Sequence, residues 1–393
     1  MVKWLAIEDM GSYFGGLMGK TKEDFQEGNA KFITYMNVFA NPSLNPSVVG
    51  VVKIHEGEKQ NKVQKGDILF TGSSETPEET GMSCVVTDEL EGDYYMNSFC
   101  FGLRLYSPEK YNLHFLKHLF RSEPVRKSIA KTASGVTRFN ISKARFSKIL
   151  IPIPSLAEQT RIVGILDTFT DSIENLKQLI AERRKQYEHY RDQLLDLEGK
   201  EGVEMKALGE IGRFIRGSGI LKSDFTEEGK PCIHYGQIHT KYGLSATTTF
   251  STIDERLYNR CKKAIKGDVV LATTSEDAEG CAKPVVWLGE EKVAVSGDAY
   301  IYHHNQNGKF MAHHFCTNGF MQFKKMYATG AKVVRISGDS MAKYEIPLPS
   351  LEEQTHIVSI LDAFEASIAN LEALLKEREK QYEYYRNKLL TFE

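Results

Sequence analysis

Much that would declare a chemistry is missing from this chain. Its six cysteines (Cys84, Cys100, Cys232, Cys261, Cys281 and Cys316) never fall at Cys-x-x-Cys spacing, so they read as reduced thiols, not as zinc ligands or a disulfide framework. No run approaches 18 unbroken apolar residues, which argues against a membrane span. Met1-Val2-Lys3-Trp4 leads straight into patterned sequence, with no apolar stretch of the signal-peptide kind, and a cytoplasmic location is expected. There is no Gly-x-x-x-x-Gly-Lys-[Ser/Thr] phosphate loop, no Asn-Pro-Pro-Tyr-like methyltransferase motif and no Gly-rich cofactor fingerprint. Neither ATP hydrolysis nor a bound cofactor is expected. Nor is there a charge of one sign to exploit, since the net charge is −2.

What is present is a repeat. Ile151-Pro152-Ile153-Pro154-Ser155-Leu156-Ala157-Glu158-Gln159-Thr160 returns as Ile346-Pro347-Leu348-Pro349-Ser350-Leu351-Glu352-Glu353-Gln354-Thr355. The match continues without a gap to Glu198 and Glu393, with 30 of 48 paired positions identical. A period of half the chain marks a tandem duplication, and a two-fold object suggests a two-fold target.

Within the first copy the apolar positions Ile162, Leu166, Phe169, Ile173, Leu176 and Ile180 alternate in steps of four and three. Tyr187, Tyr190, Leu194 and Leu197 extend the alternation, and Arg183 takes the one odd position. The second copy keeps the phase through Ile357, Leu361, Phe364, Ile368, Leu371 and Leu375, with Arg378 at the odd position. Such a stripe sustained over five heptads is a coiled-coil seam, on helices roughly 60 Å long. Ser155 and Ser350 are N-cap residues with Glu158 and Glu353 three positions on, a capping box. The preceding Ile-Pro-x-Pro is extended. The first helix is expected to stop at Gly199 and Gly202, in a polar linker over 199–203. Antiparallel pairing of the two helices would place the intervening segments at opposite ends of a rod.

Those segments, 1–150 and 204–345, are faintly related. Lys65-Gly66-Asp67 matches Lys266-Gly267-Asp268, Ile33-x-Tyr35 matches Ile233-x-Tyr235, and Ala133-Ser134-Gly135 matches Ala328-Thr329-Gly330. Glycine turns and short β runs such as Val269–Ala272 mix with a helical pattern over Leu113–Lys131, so the class is α+β. Scaffold positions match while the loops differ, as expected of two recognition modules with different targets.

The remaining chemistry is that of binding. Basic residues concentrate from Arg121 to Lys148 against one acid, Glu123, and recur in the second module, where they suit phosphate oxygens. Hydroxyl, amide and aromatic side chains interleave in the loops and can read base edges. DNA-binding candidates in the first module are Lys20, Lys22, Tyr35, Asn37, Ser73, Ser74, Arg126, Thr137 and Arg138. Those in the second are Arg216, Ser218, Tyr235, Gln237, His239, Thr273, Thr274, Ser275, Lys332 and Arg335. No catalytic or metal residues are assigned. Glu290-x-Lys292 has the spacing of a nuclease motif's tail, but its counterpart Glu89-x-Glu91 lacks the lysine. The pairs His303-His304 and His313-His314 find no partners in the first copy and read as surface or core residues.

Taken together, the chain resembles the specificity subunit of a type I restriction-modification enzyme. The paired Pro-Ser-Leu-x-Glu-Gln-Thr openings and the Lys-Gln-Tyr-Glu-x-Tyr-Arg-x-x-Leu-Leu helix ends at 185–195 and 380–390 carry the likeness. It implies two target-recognition domains (1–150 and 204–345), each followed by a spacer helix (151–198 and 346–393), the helices forming an antiparallel coiled coil with pseudo-two-fold symmetry. It further implies a bipartite double-stranded DNA target, two modification (methyltransferase) subunits, and restriction subunits acting as ATP-dependent translocase and nuclease. The chain itself would be non-catalytic. A DNA-recognition subunit of a type IIB-like system, or a coiled-coil adaptor whose modules bind protein, are the alternatives.

Overall fold

The computed structural model describes residues 2–330 and 333–392. It divides into two compact units, Met1–Lys177 with Ala373–Glu393, and Gln178–Glu372. Each unit joins one globular module to part of both long helices, Leu156–Leu195 (the central helix) and Leu351–Leu389 (the C-terminal helix).

In the first unit, Lys3–Ala6 pairs antiparallel with Leu150–Ile153, the Ile-Pro-x-Pro segment. A four-stranded antiparallel sheet follows, in the order Gly11–Gly15, Cys100–Leu105, Ile68–Thr71, Ser83–Val85. A second, mixed sheet runs Gly50–Val52, Ala30–Ile33, Tyr94–Met96, Lys62–Val63. The helical pattern over Leu113–Lys131 is two helices, Leu113–Leu119 and Glu123–Ala130. The break falls between Leu119 and Glu123, and Pro124 sits in the first turn of the second helix, where its missing N–H costs nothing. Phe70, Phe101 and Phe146 meet edge-on or stacked at 5.0–5.5 Å beneath the helices. Ile162 and Leu166 of the central helix and Leu390 close the same core. Burying each such side chain contributes about 1.5–3 kcal/mol.

The second unit repeats this plan. Glu204–Ala207 pairs with Glu345–Leu348. One five-stranded sheet runs Gly212–Arg216, Ala299–His304, Val269–Ala272, Lys283–Trp287, Ser245–Ala246. The helices Gly308–His314 and Asn318–Tyr327 pack on a core that takes in Leu195, Leu197, Ile357 and Leu361. In both modules the Lys-Gly-Asp turn has a structural reason. Gly66 (φ 88°) and Gly267 (φ 95°) take left-handed backbone, and the Asp67 and Asp268 carboxylates accept the N–H of Gln64 and Ile265.

Within each unit the helices run antiparallel, early residues of one against late residues of the other. In the first, Phe169 stacks on Tyr385 at 5.2 Å and Arg378 lies over the Phe169 ring at 5.8 Å. In the second, Tyr190 stacks on Phe364 at 5.5 Å and Arg183 lies over that ring at 6.0 Å. The odd arginine of each seam therefore packs its guanidinium on an aromatic face, a cation–π contact. Seam residues Ile173, Leu176 and Ile180 are buried, while Phe364, Ile368, Leu371 and Leu375 are half-buried. The central helix ends at Leu195, short of Gly199. Leu197 is nonetheless buried, and Gly199 and Gly202 take left-handed turns in the linker. Ser155 and Ser350 accept the N–H of Glu158 and Glu353 at 3.3 Å. Only this half of the expected box is in place at Ser155, since Glu158 is instead paired with Arg161.

Three more pairs of contacts tie each module to the helices, all at the 195-residue offset. Gln159 donates to the Pro154 carbonyl at 2.9 Å and accepts from the Asn112 N–H at 2.8 Å. Gln354 does the same with Pro349 and Asn307, both at 3.0 Å. His118 meets the Tyr382 hydroxyl at 2.9 Å, and His313 meets Tyr187 at 3.3 Å. Asn387 accepts the Glu123 N–H, and Asp192 accepts the Asn318 N–H. His313 thus has a first-copy partner, His118, contrary to the sequence expectation. Burial holds the His118 imidazole below its ordinary range and pushes His313 and His314 down to about 3, so all three are core residues.

Candidate nucleic-acid interface

Three elements of the first module converge on one cleft. The helix Tyr35–Ala40 is capped by Thr34, whose hydroxyl accepts the Asn37 N–H. It faces a small three-stranded sheet in the order Ala133–Ser134, Phe139–Ile141, Ser73–Ser74. Between them lies a cavity of about 450 Å³ lined by Tyr35, Met36, Phe39, Ser74, Glu75, Glu79, Thr137 and Arg138. Four of the sequence candidates, Tyr35, Ser74, Thr137 and Arg138, meet here. Ser73 supports them, its hydroxyl accepting from Arg138 Nε at 2.9 Å and its carbonyl from the Tyr35 hydroxyl at 2.8 Å. The Arg138 guanidinium also lies over the Phe99 ring at 5.2 Å. At the turn beside it Val136 is 92% exposed.

Other candidates face inward. Lys20 is tucked against the module, where its ammonium bonds Glu58 at 2.6 Å and draws that carboxyl down to about 2. Asn37 is buried, donating to the carbonyls of Asn45 and Val48. Arg126 caps the carbonyls of Glu78, Thr80 and Gly81, and burial pushes its guanidinium down to about 10. Its neighbour Arg121 holds the carbonyls of Val38, Phe39 and Ser83 in the same way. The basic run from Arg121 to Lys148 is therefore partly scaffold, because a guanidinium can satisfy several buried carbonyls at once. Lys22 is exposed.

In the second module the helix Tyr235–Thr240 faces a two-stranded sheet of Thr274–Ser275 and Val334–Arg335. His239 Nε2 lies 2.9 Å from the Thr274 carbonyl, Gln237 donates to the Ser251 hydroxyl at 2.6 Å, and Thr273 and Thr274 are buried. Ser275 is half-buried and Arg335 exposed. Arg216 and Tyr235 line a separate cavity of about 390 Å³ with Lys222, His234 and Asp298. Ser218 pairs with Ser296 of that lining, and its hydroxyl accepts the Lys262 N–H at 2.8 Å. Lys332 lies outside the described residues. Sequence reasoning missed Glu75, Glu79 and Phe99, because it weighed cations and hydroxyls and passed over acids and lone aromatics.

A profile of the type I restriction modification DNA specificity domain matches residues 1–182 and again 200–380. The chain belongs to this family. Among its relatives, the specificity subunit of the type I restriction enzyme EcoR124I/EcoR124II of Escherichia coli is 32% identical over 265 residues, 64% of this chain and 65% of that one. The chain thus spans just under two thirds of that relative's length. A putative type I restriction enzyme specificity subunit of Haemophilus influenzae, S.HindORF215P, is 29% identical over 72% of this chain and 73% of its own. Two solved structures share the fold. One, described in a study of complex assembly and conformational transition of the type I restriction-modification system, covers 99% of this chain and 96% of its own at a TM-score of 0.63 and 19% identity. The other, the type I restriction-modification S subunit of M. genitalium, covers 100% and 97% at a TM-score of 0.51 and 16% identity. The two matched stretches each take in one globular module and most of the long helix that follows it. Among the described residues no helix is long and apolar enough to cross a membrane.

Proposed function

We propose that this chain reads a bipartite double-stranded DNA sequence for a type I restriction-modification complex in the cytoplasm. The modules 1–150 and 204–345 each take one half-site, and the helical segments 151–198 and 346–393 set the gap and hold two modification subunits. Restriction subunits complete the assembly, and methyl transfer, ATP use and cleavage belong to those partners. The observation that carries this reading is the duplication itself. Two modules with different loops are fastened to their helices by the same glutamine, histidine and tyrosine contacts at a constant offset. Such an object presents two different reading surfaces on one repeated support. Phosphate contacts would give affinity and salt dependence, and the loops would give sequence preference. The test is a mobility-shift titration of the purified chain on duplexes, with salt varied and with methylation and nicking assayed alongside. Salt-sensitive duplex binding without either reaction is expected. A chain that binds no duplex at any salt, or that methylates or cuts DNA alone, would overturn the reading.

A further inference from the structure

Resting on that reading, we propose that the cleft of the first module recognises a G·C base pair by its major-groove edge, with Arg138 donating to guanine and Glu75 accepting from the cytosine amino group.

Among the described residues Arg138 engages only one of its three side-chain nitrogens in a hydrogen bond. Its Nε donates to the Ser73 hydroxyl, and its guanidinium carbon lies over the Phe99 ring, so the fork is positioned by two contacts. Neither terminal nitrogen has a hydrogen-bond or ion-pair partner among the described residues, and the side chain is exposed. An oriented guanidinium with both terminal N–H groups open fits two acceptors side by side. Guanine O6 and N7 offer that pair in the major groove; a phosphate offers another.

The surroundings decide between the two. Glu75 and Glu79 line the same cavity as Arg138. Glu79 is already engaged by the hydroxyls of Ser74 and Thr76 at 3.3 and 3.1 Å. Glu75 is exposed and has no partner among the described residues. Two carboxylates would repel a phosphate, whereas a carboxylate accepts from an exocyclic amino group. Cytosine N4 lies beside guanine O6 on the same edge, so one pair satisfies both residues. At the 195-residue offset the second module has Val333 where the first has Arg138, so this contact belongs to one half-site.

The test is selection of the full-length chain on a randomised duplex pool, followed by sequencing of the bound fraction. Parallel runs use Arg138→Ala, Arg138→Lys and Ser73→Ala. The wild type should select an invariant G·C pair in one half-site. Arg138→Ala should lose discrimination at that position by roughly 5- to 150-fold and leave the other half-site unchanged. Arg138→Lys and Ser73→Ala should weaken the same position by less, and they decide the matter if thermal melting shows Arg138→Ala unfolded. An unchanged motif in these variants, or a uniform loss of affinity with a shallower salt slope, would overturn the proposal by making Arg138 a phosphate contact or a bystander. A wild-type chain that selects no motif at all would instead sink the DNA-reading function on which it rests.

Discussion

A buried amide that bonds two main-chain groups cannot be truncated without orphaning both. Gln159 and Gln354 are each at most 1% exposed, and each joins the first turn of a long helix to the cap of a module helix. Gln159→Ala would strand the Asn112 N–H and the Pro154 carbonyl. At about 1–3 kcal/mol for each unsatisfied group, a loss of about 2–6 kcal/mol is expected. Gln354→Ala should cost a similar amount through the equivalent bonds of the second unit. Urea unfolding of the two variants checks this, and a change below about 0.5 kcal/mol in both would show that these glutamines do not fasten the modules to the helices. At this scale the sequence was only partly legible. Lys20, Asn37, Arg126 and Gln237 share the side-chain types of DNA-contacting residues, but each bonds its own module. Nothing local distinguishes a cation facing solvent from one capping a buried carbonyl. The constant offset of His118 and His313 was written in the sequence, yet it fell outside the most similar stretch.

At the scale of elements, the helices were the most legible part, because a 4-3 apolar stripe over dozens of residues serves little besides packing one helix along another. Their ends were less so: the central helix stops at Leu195 because Leu195 and Leu197 turn into a core whose position depends on residues more than a hundred places away. The cleft was legible only as separate pieces, since Tyr35, Ser74 and Arg138 come together through three elements distant in sequence. Treating the helices as a spacer makes a prediction of its own. Seven residues inserted after Glu174 keep the seam in phase and lengthen one arm by about 10 Å. The preferred gap between half-sites should then change by a small number of base pairs, as read by selection on randomised duplexes. Five residues would turn Leu176, Ile180, Tyr187 and Leu194 out of the seam, each worth about 1.5–3 kcal/mol, and folding or partner docking should fail. A stable heptad variant with an unchanged gap would show that the helices are not the spacer.

At the scale of the whole molecule, we propose that two modules of one ancestry read two unlike half-sites independently. Their common scaffold shows in the paired Lys-Gly-Asp turns and in the matched contacts to the helices, while the residues differ at the equivalent positions Arg138 and Val333 and Phe39 and His239. Independence follows if each module's loops depend on its own core, and the two units do have separate cores. The most direct measurement exchanges residues 1–150 for the corresponding module of a relative and maps the methylated motif in cells carrying the remaining subunits. One half of the motif should take the relative's sequence, with the other half and the gap retained. A motif that changes in both halves, or in neither, would contradict the assignment of one module to one half-site.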